Sequence, residues 1–206
     1  MKFTFFFLIA ALFLFLCSCA VSSVGVSASP AAGENFPTQE YGGTADPTIA
    51  APPSGDEIRY YGSFSTEIVT KTENRNTNLL LAAKAIDGFV LAPGDTFSFN
   101  KTVGARTSRK GYKEAIVFID SDEEMELGGG VCQIATTLYN AALDAGLEIV
   151  ERTKHGMDVD YVEPGRDATV YFGKIDFKFK NTLEHTVKIE VDVSDEYVEA
   201  RLVSDS

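Results

Sequence analysis

Apolar side chains recur at helical spacing directly after three consecutive glycines in the second half of the chain. The spacing i, i+4, i+7, i+8, i+11 marks one face of a helix, and the residues that follow it are Ile134, Leu138, Ala141, Ala142 and Ala145. Gly146 stands where a C-terminal glycine would end such a helix. The pattern predicts a flexible glycine turn that leads into a central helix, with Cys132 in its first turn.

The rest of the domain is predicted to be mostly strand. One further helix is expected over about 77–86, where Leu80, Ala83 and Ile86 share a stripe. Strand patterns occur at 59–69, 96–99, 112–119, 148–155, 157–162, 168–172, 177–180, 186–193 and 197–203. The acidic stretch 120–124 is expected to be a solvated loop. Two main helices and a mostly antiparallel sheet predict a single compact α+β domain.

The first 19 residues have a different pattern, which is typical of an export signal. Their apolar run over 3–16 is too short for a comfortable membrane span. The sequence Leu16-Cys17-Ser18-Cys19 resembles the lipobox of bacterial lipoproteins, although Cys17 is a less usual occupant. This resemblance implies that a lipid is attached to Cys19 and anchors the chain to a membrane. The alternative is an ordinary signal cleaved after Ala20, which would give a freely secreted protein.

Residues 20–57 are rich in serine, alanine, glycine, proline and threonine. Such a composition cannot bury enough apolar surface to fold, so we expect a disordered tether. The folded domain is then expected at 58–206. The predicted location is extracytoplasmic, in the bacterial cell envelope, with the lipid anchor at the outer face of the cytoplasmic membrane.

Charge and cysteine content narrow the range of partners. The formal net charge is −12, with 18 basic against 30 acidic residues, which argues against nucleic acid as the main partner. Two histidines and three cysteines cannot form a Cys/His metal cluster once the signal segment is removed. We therefore expect no metal site and no cofactor.

Cys132 is left as the only thiol of the predicted mature domain. Exported proteins normally pair their cysteines in disulfides, so a single cysteine is either an inert buried residue or a reactive one. A glycine turn at a helix start is a poor place to fill a core. The helix N-terminus favours a negative charge there and lowers a cysteine pKa. These features predict that Cys132 is a nucleophile.

His155 is the predicted base for this nucleophile. The helix from Cys132 to Ala145 rises about 20 Å at roughly 1.5 Å per residue, and a strand over 148–155 spans about 23 Å at roughly 3.3 Å per residue. Because the two lengths match, an antiparallel return brings His155 back to the level of Cys132. The alternative is a solvent-exposed histidine at a strand end. The other histidine, His185, precedes a strand in a turn and is expected at the surface.

The stretch from about 78 to 181 resembles a VanW-type domain. The matching segments are 91–100, Gly104-Ala105-Arg106-Thr107, Gly111-Tyr112, 128–146, 148–152, His155, Tyr161-Val162, 167–170 and 176–181. The chain departs from the usual family pattern at Ala135 and Gly156, where serine is common. Some VanW-type domains are implicated in L,D-transpeptidation of peptidoglycan through the cysteine that Cys132 matches.

The resemblance implies a mechanism for that reaction. The Cys132 thiolate would attack the carbonyl after the third residue of a tetrapeptide stem, D-alanine would leave, and the amine of a neighbouring stem would resolve the thioester. Backbone N–H groups near Cys132, with the Gln133 side chain, would stabilise the oxyanion, while His155 would act as acid and base. We choose Asp176 over Asp167 to orient His155, with structural capping as the alternative role of either.

Three further residues are candidates for substrate binding. Arg106 is suited to clamp a stem carboxylate because a guanidinium pairs bidentately; a structural salt bridge is its alternative role. Gly130 has no side chain, so a substrate backbone can approach the sulfur closely. Tyr161 belongs to the matching segments and is assigned to the same group.

The predicted function is that of an exported cell-wall enzyme, a cysteine L,D-transpeptidase that forms 3-3 cross-links in peptidoglycan. Its predicted partners are peptidoglycan stem peptides and, through the anchor, a membrane. Two alternatives remain open. One is a peptidoglycan endopeptidase or carboxypeptidase, in which water resolves the thioester. The other is a non-catalytic wall-binding or accessory lipoprotein, in which the cysteine would be vestigial. Because the VanW family is named for an accessory protein of a glycopeptide-resistance cluster, the resemblance also implies a link to antibiotic resistance.

Overall fold

A four-stranded antiparallel sheet supports the central helix of the domain. The computed structural model describes residues 59–119 and 122–204. The predicted signal segment at 1–19, with Cys19, and the predicted tether at 20–57 lie outside the described residues. None of the described helices has both the length and the apolar character needed to cross a bilayer.

The described residues form nine strands, three α-helices and one 3₁₀ turn. In chain order they are β1 (Tyr60–Glu67), α1 (Glu73–Ile86), β2 (Val90–Leu91), β3 (Thr96–Ser98), α2 (Phe99–Val103), a 3₁₀ turn (Ser108–Lys110), β4 (Glu114–Ile119), β5 (Asp122–Leu127), α3 (Val131–Asp144), β6 (Glu148–Glu151), β7 (Lys178–Lys180), β8 (Val187–Val193) and β9 (Tyr197–Ser204). The α+β class predicted from the sequence is confirmed, with one short helix more than expected.

The strands form three antiparallel sheets. The largest has the order β1-β9-β8-β2, so that Ala200 in β9 lies opposite both Phe64 in β1 and Val191 in β8. The second has the order β3-β7-β6 and places Phe179 opposite both Phe97 and Ile149. The third is the hairpin of β4 and β5. Alternate residues of β8 and β9 point into the core, as the alternating sequence pattern requires.

Helix α3 lies at the centre of the hydrophobic core. It packs against β1 and β9 on one side, where Ile134, Leu138 and Ala141 are fully buried. Toward the second sheet, Tyr139 meets Phe177 edge-on with 5.8 Å between ring centroids. This core fixes the helix on both sides, and with it the position of Cys132.

Two helix boundaries differ from the sequence predictions because of local capping. Helix α1 begins at Glu73 and not near 77, since the Thr72 hydroxyl accepts a hydrogen bond from the Arg75 N–H at 3.3 Å. Helix α2 begins at Phe99, which was expected to be extended. There the Ser98 hydroxyl accepts from the Lys101 N–H at 3.2 Å.

Three predictions, one of a loop and two of strands, are wrong in the type of structure. The acidic stretch expected as a loop contributes to strand β5, because Asp122–Leu127 pairs with β4 along its whole length. The strand expected at 157–162 is a series of turns and bends. The strand expected at 168–172 makes only isolated bridges at Thr169 and Tyr171. The backbone of this segment contacts side chains of α3 and not a neighbouring strand along its length.

Gly62 tests the packing of β1 on α3. A Cβ atom added at Gly62 would meet backbone atoms of the helix, including the Ala141 carbonyl oxygen at 2.5 Å. We expect Gly62→Ala to lower the free energy of unfolding by about 2–3 kcal/mol, since neither backbone can yield without moving the core. Gly156→Ala is the control, because nothing lies within 4 Å of its added Cβ. Equal urea-unfolding midpoints for the two variants would contradict this description of the packing.

Candidate active site

The three-glycine turn before α3 adopts a backbone that other residues rarely take. Gly128 and Gly130 have φ angles of 90° and 98°, in the region that glycine occupies without strain. Gly129 is buried, and a Cβ atom there would lie 2.5 Å from the Ala115 carbonyl oxygen of β4. The turn is thus held against β4, and Cys132 becomes the second residue of α3.

A polar stripe on α3, formed by Cys132, Thr136 and Asn140, faces an extended segment that runs along the helix. The Ala168 N–H donates to the Thr136 hydroxyl at 2.9 Å, and that hydroxyl donates to the Ala168 carbonyl at 3.2 Å. The Asn140 amide donates to the Arg166 carbonyl at 2.8 Å. Four helical residues rise about 6 Å and two strand residues about 6.6 Å. The similar spacing lets helix side chains pair with every second residue of the segment.

Cys132 makes the last contacts of this stripe. The Val170 N–H points at the Cys132 sulfur at 3.5 Å, and the Thr169 hydroxyl oxygen lies 3.6 Å from the same atom. The thiol also lies 3.6 Å from the Val170 carbonyl oxygen. The sulfur therefore sits between a helix start and an extended backbone that can donate to a negative charge.

His155 reaches the sulfur on an extension of β6. Beyond Glu151 the chain stays extended and bridges to the segment along α3, with the Thr169 N–H donating to the Thr153 carbonyl at 2.9 Å. His155 follows two residues later, and its ring lies beside Cys132 in the same cleft, near enough to lower the pKa of the thiol. The antiparallel return expected from helix and strand lengths thus brings the two side chains together.

Asp167 holds His155 through two hydrogen bonds. One carboxylate oxygen of Asp167 accepts from the His155 backbone N–H at 2.5 Å and lies 2.7 Å from its ring Nδ1. The other oxygen forms an ion pair with Arg152 at 3.1 Å. Because Nδ1 is engaged by Asp167, Nε2 is the ring nitrogen that remains to exchange a proton with Cys132. The three side chains form a relay from carboxylate to imidazole to sulfur.

The relay lowers the pKa of the Cys132 thiol and raises the pKa of the His155 imidazole. Burial alone would raise the pKa of the Cys132 thiol, but the hydrogen bond and charge of His155, together with Val170 and Thr169, outweigh burial and lower it. Burial alone would lower the pKa of His155, but Cys132 and Asp167 outweigh burial and raise it. Both shifts move the pair toward thiolate and imidazolium.

The sulfur opens into a cleft with a cavity volume of about 700 Å³. Its side chain is half-buried, and His155 lies in the same cleft. One wall is the β4–β5 hairpin, where Ile116 and Met125 keep 42% and 58% of their surface exposed. A cavity of this size holds a small peptide, and its open apolar wall offers contact area beside the sulfur.

One predicted site residue, Asp176, lies outside the cleft of Cys132. Asp176 does not contact His155, and its choice as the orienting residue is wrong. Its carboxylate accepts from the Ser98 hydroxyl at 2.7 Å and from the Asn100 N–H at 2.8 Å, which caps α2. Asp167, the candidate set aside, occupies the place beside His155.

Gln133 cannot stabilise an oxyanion with its side chain, contrary to the sequence prediction. The residue is fully buried. Its amide group donates both hydrogens inside the core, to the Thr66 hydroxyl at 2.9 Å and to the Glu67 carbonyl at 2.8 Å. Its carbonyl oxygen accepts from the Arg75 guanidinium at 2.8 Å. Gln133 therefore positions Arg75.

Three other candidates line the cleft of Cys132, namely Arg106, Gly130 and Tyr161. Arg106 donates to the Asn100 side chain at 2.7 Å and forms no ion pair with a carboxylate of the described residues. Burial, followed by the charge of Cys132, raises the pKa of Tyr161, so its hydroxyl stays neutral. Contact of these residues with substrate stays a prediction.

Sequence reasoning missed the polar stripe and Arg75. Thr136 and Asn140 lie at positions i+4 and i+8 from Cys132 and so share one helix face with it, and this spacing was an available signal. Arg75 carried no signal, because it precedes the helix start that the sequence predicted. Its place in the cleft depends on the tertiary fold. Within residues 59–119 and 122–204, three or more His, Cys, Asp or Glu side chains nowhere converge as metal ligands.

The chain matches a known protein family. The model of the family described as "VanW like protein" matches residues 74–203, so the chain belongs to the VanW family. The chain is 45% identical over 128 residues to the uncharacterized protein YoaR of Bacillus subtilis, covering 62% of this chain and 42% of that protein. It is 33% identical over 139 residues to the vancomycin B-type resistance protein VanW of Enterococcus faecalis, covering 65% of this chain and 50% of that protein.

The chain thus spans about half the length of these curated relatives. No solved structure matches it.

The role of Asp167 is tested by Asp167→Asn. We expect the pKa of the Cys132 thiol to rise, because an imidazolium without its carboxylate is a weaker partner for the thiolate. The measurement is the pH dependence of the rate at which iodoacetamide alkylates Cys132. Asp195→Asn, which removes a carboxylate on the exposed β8–β9 turn, is the control and should keep the original profile. An unchanged profile in Asp167→Asn would remove this residue from the relay.

Proposed function

We propose that the chain is an exported cysteine acyltransferase that acts on peptidoglycan stem peptides, with L,D-transpeptidation as its reaction. The observation that carries the proposal is the relay of Asp167, His155 and Cys132 at the wall of an open cleft. A carboxylate, an imidazole and a sulfur in this order are the parts of a covalent acyl-transfer site. Export and lipid anchoring through Cys19 form part of the same proposal and rest on the sequence of residues 1–57.

The first half of the reaction forms a thioester. The Cys132 thiolate attacks the carbonyl carbon of the donor peptide, and the carbonyl oxygen takes up the negative charge. The His155 imidazolium then gives its Nε2 proton to the leaving amine as the C–N bond breaks. The products are a thioester on Cys132, a free amino acid and a neutral imidazole, whose Nδ1 keeps its proton and donates it in a hydrogen bond to Asp167.

The second half restores the enzyme. The amine of an acceptor peptide attacks the thioester carbonyl, and neutral His155 takes the proton that the amine loses. The C–S bond breaks, a new amide bond forms, and the thiolate–imidazolium pair returns. Water in place of the amine would give hydrolysis by the same steps.

The backbone N–H of Cys132 is the donor we assign to the oxyanion. It lies in the first turn of α3, where amides have no acceptor within the helix and the dipole favours negative charge. The Gln133 side chain is committed within the core. Oxyanion stabilisation therefore falls to the backbone that the glycine turn presents.

The substrate class rests on family membership. The VanW-type resemblance implies peptidoglycan chemistry, and the Enterococcus faecalis relative is named a vancomycin resistance protein. We extend a contribution to such resistance to this chain as part of the proposal. The alternatives of hydrolysis and of a non-catalytic role are separate outcomes of one assay.

The assay incubates the purified chain with muropeptides that carry tetrapeptide stems. We expect Cys132-dependent release of D-alanine together with cross-linked dimers, measured by liquid chromatography and mass spectrometry. Cys132→Ala should abolish both products, and His155→Ala should slow them by about 10²- to 10⁴-fold because proton transfer is lost. His185→Ala is the matched control, since that side chain is exposed and lies outside the cleft.

The product pattern decides among the three functions. D-alanine with only monomeric products would replace transpeptidation by carboxypeptidase activity, and cleavage of existing cross-links would indicate an endopeptidase. Unchanged muropeptides, with folded protein, would reject the enzyme proposal and leave a wall-binding module.

A further inference from the structure

Two guanidinium groups in the cleft each have one nitrogen donor without a hydrogen-bond acceptor in the described part of the chain. The Nη1 atom of Arg75 and the Nη2 atom of Arg106 are buried and have no hydrogen-bond partner among the described residues. Both arginines line the cleft that contains Cys132. Because an unpaired buried donor on a charged group costs folding free energy, two such donors in one cleft call for a ligand that accepts from them.

Each arginine is fixed by a neutral acceptor. Arg75 donates from Nη2 to the Gln133 amide oxygen at 2.8 Å. Arg106 donates from Nη1 to the Asn100 amide oxygen at 2.7 Å and lies over the Phe99 ring at 5.5 Å. Asn100 is itself held, since its amide donates to the Ile175 carbonyl at 2.7 Å. These contacts orient the guanidiniums without neutralising their charge.

Nearby anions also do not fully balance the positive charges of Arg75 and Arg106. Burial lowers the pKa of Arg75 and of Arg106, and the opposing effects of nearby anions do not offset it. For Arg75 these anions include Asp160 and Cys132, and for Arg106 they include Cys132 and Asp176. An incoming carboxylate would supply the missing negative charge.

The glycine turn makes room for both arginines. A Cβ atom on Gly128 would lie 2.8 Å from Cγ of Arg106, and a Cβ atom on Gly130 would lie 2.8 Å from Cγ of Arg75. Gly128 therefore leaves space for Arg106, and Gly130 leaves space for Arg75. The same turn leads directly to Cys132. The turn thus couples the position of two cations to that of the sulfur.

We propose that Arg75 and Arg106 form a carboxylate-binding subsite that selects donor peptides ending in a free C-terminal carboxylate next to the attacked carbonyl. The proposal rests on the acyl-transfer function proposed above and adds its specificity. The two unpaired guanidinium nitrogens donate to no acceptor among the described residues. A carboxylate has two oxygens that pair with guanidinium N–H groups. Arg75 and Arg106 bind and position the donor, and the reacting groups remain Cys132 and His155.

Direct binding tests the subsite without relying on catalysis. The inactive Cys132→Ala chain is titrated by calorimetry with a stem tetrapeptide ending in D-alanine, and with the same peptide as its C-terminal carboxamide. We expect the free acid to bind at least about tenfold more tightly, because charge-assisted hydrogen bonds to a buried guanidinium are lost with the amide. Equal affinity for the two peptides, or binding of neither, would overturn the proposal.

Arginine variants assign the preference to the subsite. In the Cys132→Ala background, Arg75→Gln and Arg106→Gln should each reduce affinity for the acid and leave affinity for the amide nearly unchanged. Arg75→Lys and Arg106→Lys keep the charge and should retain part of the preference, which also guards against loss of folding. Arg109→Gln removes an exposed arginine outside the cleft and should change neither affinity. A full preference for the acid in both glutamine variants would reject the assignment.

Acylation by the unaltered chain separates this proposal from the proposed function. If the acid binds preferentially but no thioester forms on Cys132, the subsite stands and the enzyme proposal fails. If both peptides acylate Cys132 at equal rates, the enzyme proposal stands and the subsite fails. Both proposals are supported if D-alanine leaves the free-acid peptide at least about tenfold faster than D-alanine amide leaves the carboxamide peptide.

Discussion

A negative charge on Cys132 depends on the His155 imidazole beside the sulfur and on the Asp167 carboxylate that is hydrogen-bonded to that imidazole. Burial opposes both charged forms, since it raises the pKa of a thiol and lowers that of an imidazole. Their mutual attraction reverses both effects, helped by Val170 and Thr169 at the sulfur and by the Asp167 carboxylate behind the imidazole. The rest of the domain serves to hold these three groups at contact distance.

The polar stripe of α3 accomplishes much of that positioning. Thr136 and Asn140 pair with the backbone of the extended segment as a neighbouring strand would, and so place Asp167 and Val170 beside the first turn of the helix. The same helix is fixed from behind by its apolar face against β1 and β9. One helix therefore joins the core to the site, and the position of Cys132 follows from packing remote from the cleft.

Periodic patterns made the larger elements predictable. The apolar stripe located α3, the glycine located its end, and matched lengths indicated that His155 returns to Cys132. The choice between Asp167 and Asp176 was not predictable, because both carboxylates stand where extended segments begin and only the tertiary fold decides which one meets the imidazole. Arg75 was missed for the same reason. The glycine turn was correctly located, but two of its glycines make room for arginines, which no local pattern reveals.

An acylation experiment tests whether Cys132 is an accessible, ionised acyl acceptor. The folded chain is mixed with a carbapenem, whose strained lactam carbonyl serves as a simple acyl donor, and its intact mass is measured. We expect a mass increase equal to one carbapenem on the unaltered chain and none on Cys132→Ala. No adduct on the unaltered chain, or an adduct that persists without Cys132, would contradict it.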